Sequence, residues 1–353
     1  MKSILAYPPD ELGQAFAADG LEPYRAGQIA RWVYGRGVRD FADMTDLGAA
    51  LRVRLAEEWS TRALALESVR ASRDGTRKLV LETGDGARLE AVIIPEERRR
   101  TVCVSSQLGC SLDCSFCATG RMGLGRNLRP EEIVDQVLLA NEILAAEDER
   151  VSNVVFMGMG EPLLNLRSVV RAILILIGAP FLGLGARRIT VSTAGVVPKL
   201  AELAEAAPVR LAVSLHATTD AVRDELVPLN RRFPLEQLLE ACRRYPLERG
   251  DRISFEYALI RGVNDSPADV RRLVRLLHGI RAKVNLIPLN EHPGTAYRRT
   301  AEEDVNRFAD ALAKSHVNVT VRRSRGDDIY AACGQLGALA PHAYAPSCDE
   351  RRR

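Results

Sequence analysis

At 353 residues the chain has room for one large domain and a small one, and a hydrophobic content of 46% is enough to bury a core. Seven cysteines without a secretory leader argue against a disulfide-stapled scaffold and point to metal or redox chemistry in a reducing compartment. The net charge of +3 singles out no partner, and the longest apolar run, residues 172–186, is broken by Pro180 and too short for a bilayer, so a cytoplasmic protein without membrane attachment is expected.

Up to about residue 75, the stretch "LEPYRAGQIARWVYGRGVRDFADMTDLGAALRVRLAEE" carries apolar residues at helical spacing and nothing strand-like, which predicts a small helical domain over residues 1–75. From "RKLVLETGDGARLEAVIIP" the pattern turns to a hairpin about "GDG". Apolar strands then alternate with amphipathic helices. Strands are expected at "TVCVSS", "VSNVVFMG", "RRITVST", "VRLAVSLH", "RISFEYALI" and "KVNLIPLN", with "VNVTVRR" as a closing strand, and helices at stretches such as "PEEIVDQVLLANEIL" and "DVRRLVRLLHGI". This alternation implies a parallel sheet, and six units predict an α/β fold: an incomplete (β/α)6 barrel over residues 76–345, followed by a basic tail at 346–353. In such folds chemistry gathers at the carboxyl ends of the strands. Here those ends carry Ser105 and Ser106, "GMGEP", Ser192 and Thr193, "SLH", "RGVND" and "PLNEH".

Three thiols, Cys110, Cys114 and Cys117, fall in one C-x3-C-x2-C loop, "GCSLDCSFCATG", at that same end. A structural zinc site wants four ligands, and Cys103 can be added to make them, although it sits inside an expected strand and the loop lacks paired C-x2-C knuckles. Three thiolates also suit a [4Fe–4S] cluster with one iron left open, since cubane clusters normally take four cysteines.

The cysteine loop after the first strand of a partial barrel resembles the radical S-adenosylmethionine (SAM) superfamily, whose open iron chelates the amino and carboxylate groups of SAM. "GMGEP" is similar to that superfamily's glycine-rich SAM motif. In that reading Gly158 and Gly160 let the backbone approach the ligand, and Glu161 accepts from its ammonium. "CVSSQLGCSLDCSFCATG", "FMGMGEPLLN", "SLHA", "NLIPLN" and "RGDDIYAACGQL", in this order, closely resemble the RlmN/Cfr family of RNA adenine methyltransferases, and the helical N-terminus looks like its accessory RNA-binding domain.

The resemblance implies methylation of an adenosine in 23S rRNA, and of tRNA, at C2, with C8 as the alternative. It implies one [4Fe–4S] cluster on Cys110, Cys114 and Cys117, and two SAM molecules per turnover. One methyl group passes to Cys333 by nucleophilic displacement. Glu90 takes the C2 proton, and Cys103 releases the product by closing a disulfide with Cys333, which an external thiol reduces. Ser192, Ser214, Leu215, His216 and Asn290 are expected around SAM with the "GMGEP" residues. An external electron donor and a monomeric enzyme complete the expectation.

Taken singly, most of these residues have a plainer reading. Cys333 and Cys103 read as small buried residues, Glu90 as a strand's solvent-side acid, and His216 as a metal ligand or a cap. Cys242 reads as helix packing and Cys348 as part of a tail. "EERRRT", "RRSRG" and the final "RRR" are candidate phosphate contacts, although charge runs are commonly solvated surface. A non-catalytic RNA-binding protein with a zinc-held loop is the alternative of another class.

Overall fold

The computed structural model describes residues 1–178 and 182–338, so Cys348, the tail at 346–353 and its final arginines lie outside the described residues. Strand β1 (Lys2–Ser3) leads into helices α1 (Pro9–Ala18), α2 (Arg25–Ala30) and α3 (Ala49–Glu58), and β2 (Trp59–Ser60) returns to pair parallel with β1. The helices close over Phe16, Ile29 and Trp59, which are almost wholly buried. Phe16 meets Trp59 edge to face with ring centroids 4.8 Å apart.

Next, β3 (Leu64–Ala71), β4 (Arg77–Thr83) and β5 (Arg88–Glu96) form an antiparallel meander, and β5 pairs antiparallel with β6 (Arg99–Cys103). β3 corrects the expectation that nothing before residue 75 is strand. It is an edge strand, mostly exposed and bulged between Leu66 and Ser68, so its sequence lacks the buried alternation that marks a strand. The expected "GDG" hairpin is the β4–β5 turn.

A short antiparallel ribbon follows, β7 (Gln107–Gly109) with β8 (Leu124–Asn127), and the cysteine loop is the connection between its strands. The βα units then run α4 (Pro130–Ala145), β9 (Asn153–Phe156), α5 (Leu166–Ile177), β10 (Ile189–Thr193), α6 (Val197–Ala206) and β11 (Arg210–Ser214). They continue through α7 (Asp220–Leu226), α8 (Leu235–Arg244), β12 (Ile253–Leu259), α9 (Pro267–Leu276), β13 (Ala282–Pro288), α10 (Glu302–Lys314) and β14 (Val319–Val321). β6 and β9 to β14 pair parallel in sequence order, and with the meander they make one open ten-stranded sheet. This is the incomplete barrel expected, with six helical crossings and an unclosed edge. β12 is buried along its whole length although Ser254 and Glu256 interrupt its apolar residues, and β13 sets Lys283 and Asn285 among Val284, Leu286 and Ile287.

A buried knot helps to fasten the helical module to the barrel. Arg39 donates to Thr61 O at 2.9 Å, to Glu142 Oε1 at 3.0 Å and to Asp135 on α4, whose other oxygen accepts from the backbone of Ala63 and Leu64. Among the described residues, no helix is long and apolar enough to cross a membrane.

Candidate active site

The cysteine loop is folded by glycine and by bonds to distant strands. Gly109 sits at φ +76°, and a Cβ there would lie 1.9 Å from Gly123 O, so no other residue fits. Cys110 N donates to Gly123 O at 2.8 Å and Cys117 N to Cys114 O at 3.0 Å, which turns the three thiols toward one cavity. Burial pushes the Cys110 thiol up to about 12 and those of Cys114 and Cys117 above their ordinary value, and neighbouring thiolate charge adds to the rise. All three are protonated near neutral pH until a bound metal displaces the protons. Among the described residues, no three His, Cys, Asp or Glu side chains converge on a single ion. Three thiols on one cavity, without a fourth protein ligand among the described residues, leave a structural zinc one ligand short and suit a [4Fe–4S] cluster with one iron open. Cys103 does not join them as a fourth ligand. It ends β6 and lines a separate, smaller cavity.

The main cavity encloses about 970 Å³ of atom-free space, part of it open to solvent. Gly158, Gly160, Glu161, Ser192, Ser214, His216 and Asn290 all line it, with the three cluster-loop cysteines and Cys333. Leu215 does not; it is fully buried, and its carbonyl accepts from Arg223 Nε at 3.0 Å.

The two glycines have a reason that differs from ligand approach. A Cβ at Gly158 would lie 2.7 Å from Val104 O, and one at Gly160, where φ is +97°, 2.5 Å from Gln107 Cβ. They let the turn after β9 pack on the chain leaving β6. Glu161 joins that turn to the end of β10, accepting from Leu163 N at 3.0 Å and Ala194 N at 2.8 Å, while burial raises its carboxyl.

His216 sits at φ +58°, a left-handed conformation uncommon outside glycine. Its Nδ1 accepts from Ala258 N at 3.0 Å, so the neutral ring carries its proton on Nε2. Burial, then the nearby Arg223 charge, lowers its pKa to about 3.

Cys333 lines both cavities; Cys103 shares the smaller one with it. Burial pushes the Cys103 thiol up to about 12, negative charge on Cys333 adds to the rise, and Arg322 opposes it. Both cysteines are free thiols. Asn290 Nδ2 donates to Cys333 O at 3.0 Å, Ala118 N to Gly334 O at 2.7 Å and Thr119 Oγ1 to Leu336 O at 2.8 Å, so the cysteine loop itself helps to hold the Cys333 segment.

Glu90 lines neither cavity. It is buried, not on a solvent face, and pairs with Lys78 Nζ at 3.0 Å while accepting from Gly337 N at 2.9 Å.

Sequence reasoning missed Arg223, Lys78, Glu256 and Arg322. Arg223 is fully buried, with its pKa lowered to about 10 by burial, and ties Ala194 O, Ser214 O and Leu215 O together at the ends of β10 and β11. Arg322 opens the run expected to contact phosphates, yet its side chain faces the main cavity. In "EERRRT", Arg99 pairs with Glu96 at 2.7 Å and Arg100 with Glu149, which neutralises much of that patch. Cys242 is buried in α8, consistent with its reading as helix packing.

Comparisons with known proteins place the chain in a family. Residues 104–277 match the family described as the radical SAM superfamily, and residues 3–60 match the ribosomal RNA large subunit methyltransferase N-terminal domain. The fold and thiol loop are therefore those of a radical SAM enzyme, which uses a [4Fe–4S] cluster and SAM. Proteins called dual-specificity RNA methyltransferase RlmN match almost end to end. The one from Anaeromyxobacter dehalogenans is 49% identical over 95% of this chain and 91% of its own. That from Syntrophotalea carbinolica is 51% identical over 98% and 91%. A crystal structure of a radical SAM methyltransferase from Sphaerobacter thermophilus superimposes with a TM-score of 0.93 at 46% identity, covering 96% of this chain and all of that one. The chain belongs to the RlmN family of radical SAM methyltransferases.

Proposed function

We propose that this enzyme methylates C2 of an adenosine in 23S rRNA and in tRNA, carrying the methyl group on Cys333. Cys110, Cys114 and Cys117 hold the cluster, and the walls bearing Gly158, Gly160, Glu161, Ser192, Ser214, His216 and Asn290 hold SAM, with Leu215 contributing through backbone position. When bound, the cluster supplies the electron that makes a radical from SAM, which an electron-poor ring carbon without a lone pair requires.

The chain's own residues do the rest. Cys333, as thiolate, accepts a methyl group by displacement. Its sulfur then presents the one-carbon unit to C2. Glu90 receives the C2 proton, and Cys103 attacks the Cys333 sulfur to free the product. The helical module, residues 1–75 on the sequence reading and 3–60 by family match, engages RNA. An external reductant and a thiol serve turnover. The observation that carries this reading is the position of Cys333, which opens on the cluster-thiol cavity on one side and on Cys103 on the other.

Anaerobic turnover with RNA tests it. Cys103→Ala should load methyl and attack adenine but leave RNA covalently attached, whereas Cys333→Ala should never form the adduct. Free turnover by Cys103→Ala, or a methyl group mapped to C8, would overturn the assignment.

A further inference from the structure

Four adjacent strands place polar side chains in one register row that runs from the barrel interior out to the exposed edge strand β14. Ser214 on β11 faces Glu256 on β12, Glu256 faces Asn285 on β13, and Asn285 faces Thr320 on β14. Thr320 Oγ1 donates to Asn285 Oδ1 at 2.6 Å, and Asn285 Nδ2 donates to Glu256 Oε1 at 2.7 Å. Both bonds point toward Glu256, so the row ends on an acceptor. Oε2 of Glu256 is buried without a hydrogen-bond partner, and the residue, 3% exposed, lines the main cavity. A buried carboxylate oxygen left in this state costs free energy that a donor would recover.

Arg322 lines the same cavity, and its charge is stabilised first by Cys333 and then by Glu256. No ion pair within 4.0 Å joins Arg322 to Glu256 among the described residues. Glu256 and Arg322 thus line a common space without pairing with each other, and Arg322 is the one that also shares the smaller cavity with Cys333.

We propose that Glu256 and Arg322 form a subsite that reads the adenine of the RNA substrate along its N6/N1 edge. The exocyclic amine donates to Glu256 Oε2, and ring N1 accepts from the Arg322 guanidinium. This rests on the function proposed above and deepens it. In adenine, C2 is bonded to N1, whereas C8 lies across the ring system beside N7. A base held by N6 and N1 therefore brings C2 to the Arg322 side, where Cys333 is, and turns C8 away. Held by N6 and N7 it would do the reverse. The base against Arg322 is the one facing the sulfur that carries the methyl group, which assigns the subsite to the acceptor RNA and not to the adenine of SAM.

The test uses cluster-loaded enzyme under anaerobic conditions and an RNA hairpin with adenosine or purine riboside at the target position. Purine riboside lacks only the amine. Wild-type enzyme should bind the adenosine hairpin about 10- to 100-fold more tightly, the range of a hydrogen bond to a charged group. Glu256→Met should lose that preference with SAM affinity unchanged, and Glu256→Gln, which keeps an acceptor oxygen and the row's shape, should keep part of it. Full preference in Glu256→Met would overturn the proposal. So would a weakened SAM affinity with the RNA preference intact, since the free oxygen would then serve SAM. A wild type that shows the preference yet never methylates the hairpin would overturn the reading of function and leave the subsite standing.

Discussion

Lys78→Met should release the Cys333 segment without unfolding the barrel. Lys78 lies on β4, 1% exposed, diagonal to Glu90 across the β4–β5 ladder, where Val80 is the residue that directly faces Glu90. Its Nζ bonds Glu90 at 3.0 Å and Tyr330 O at 3.2 Å, while the other Glu90 oxygen holds Gly337 N. The pair therefore grips both ends of the segment that carries Cys333, one end of which, Tyr330, is held at φ +52°. Removing one partner of a buried ion pair costs about 3–5 kcal/mol. Methionine fills most of the lysine volume and Glu90 keeps its bond to Gly337, so about 3 kcal/mol is the working figure. Because the gripped groups belong to a loop, that cost falls on loop opening, and 3 kcal/mol corresponds to roughly a hundredfold more frequent opening. Hydrogen exchange read by mass spectrometry should show the amides of residues 331–338 exchanging about that much faster, with α8 around Cys242 unchanged. Adding Glu90→Gln should restore part of the protection, since the buried charge left alone is then gone. Acceleration below about threefold in Lys78→Met would refute the grip, because it would equate to less than 1 kcal/mol.

Arg39→Met strips the knot between the helical module and α4, so urea unfolding should detect a loss of about 3 kcal/mol and exchange should rise first in residues 1–60. Gly160→Ala places a Cβ 2.5 Å from Gln107 Cβ at φ +97°, and soluble yield and urea midpoint should both fall sharply; a near-normal midpoint would show that the turn can shift. The folded pKa of His216, about 3, lies below its ordinary 6.5, so the unfolded chain binds a proton that the native state refuses. Its contribution is complete above about pH 6.5 and drains as pH falls toward 3, by up to about 1.4 kcal/mol per unit. His216→Asn, which tolerates the left-handed backbone, should flatten the loss of stability between pH 7 and 5; parallel curves would refute this.

The barrel was legible because strands alternate with helices and each keeps large apolar residues on one side, as Ile253, Phe255, Tyr257 and Leu259 do in "ISFEYAL", while polar residues gather at the strand ends where the cavity lies. The cysteine loop was legible because its ligands are local in sequence. β3 was not, since an exposed edge strand needs no buried alternation. "RRSRG" misled for a related reason: composition reports charge, whereas the alternation of side chains beyond β14 turns Arg322 inward. Lys78 and Tyr330 are 252 positions apart, and nothing in either neighbourhood announces the other. Such a contact exists only once the sheet order is set. The sequence explained the glycines of "GMGEP" by ligand approach alone, whereas the atoms that crowd them belong to Val104, Ser105 and Gln107.

What the sequence hides most completely is that no single element positions Cys333. The segment around it is held by Asn290 from the end of β13, by Ala118 and Thr119 from the cysteine loop, and by Lys78 and Glu90 from the meander. Each bond alone contributes about 1 kcal/mol or less in net terms, except those to the buried ion pair. A segment gripped by three independent elements stays in place when one bond is lost, yet it opens when the element carrying the charged pair lets go. Glu90 then has a second consequence besides the proton acceptance proposed for it. A proton on its carboxyl would weaken its pull on Lys78, and with it the hold on the Tyr330 and Gly337 ends of the loop. The group proposed to register that C2 has lost its proton is therefore also one that restrains the cysteine whose sulfur Cys103 must next reach.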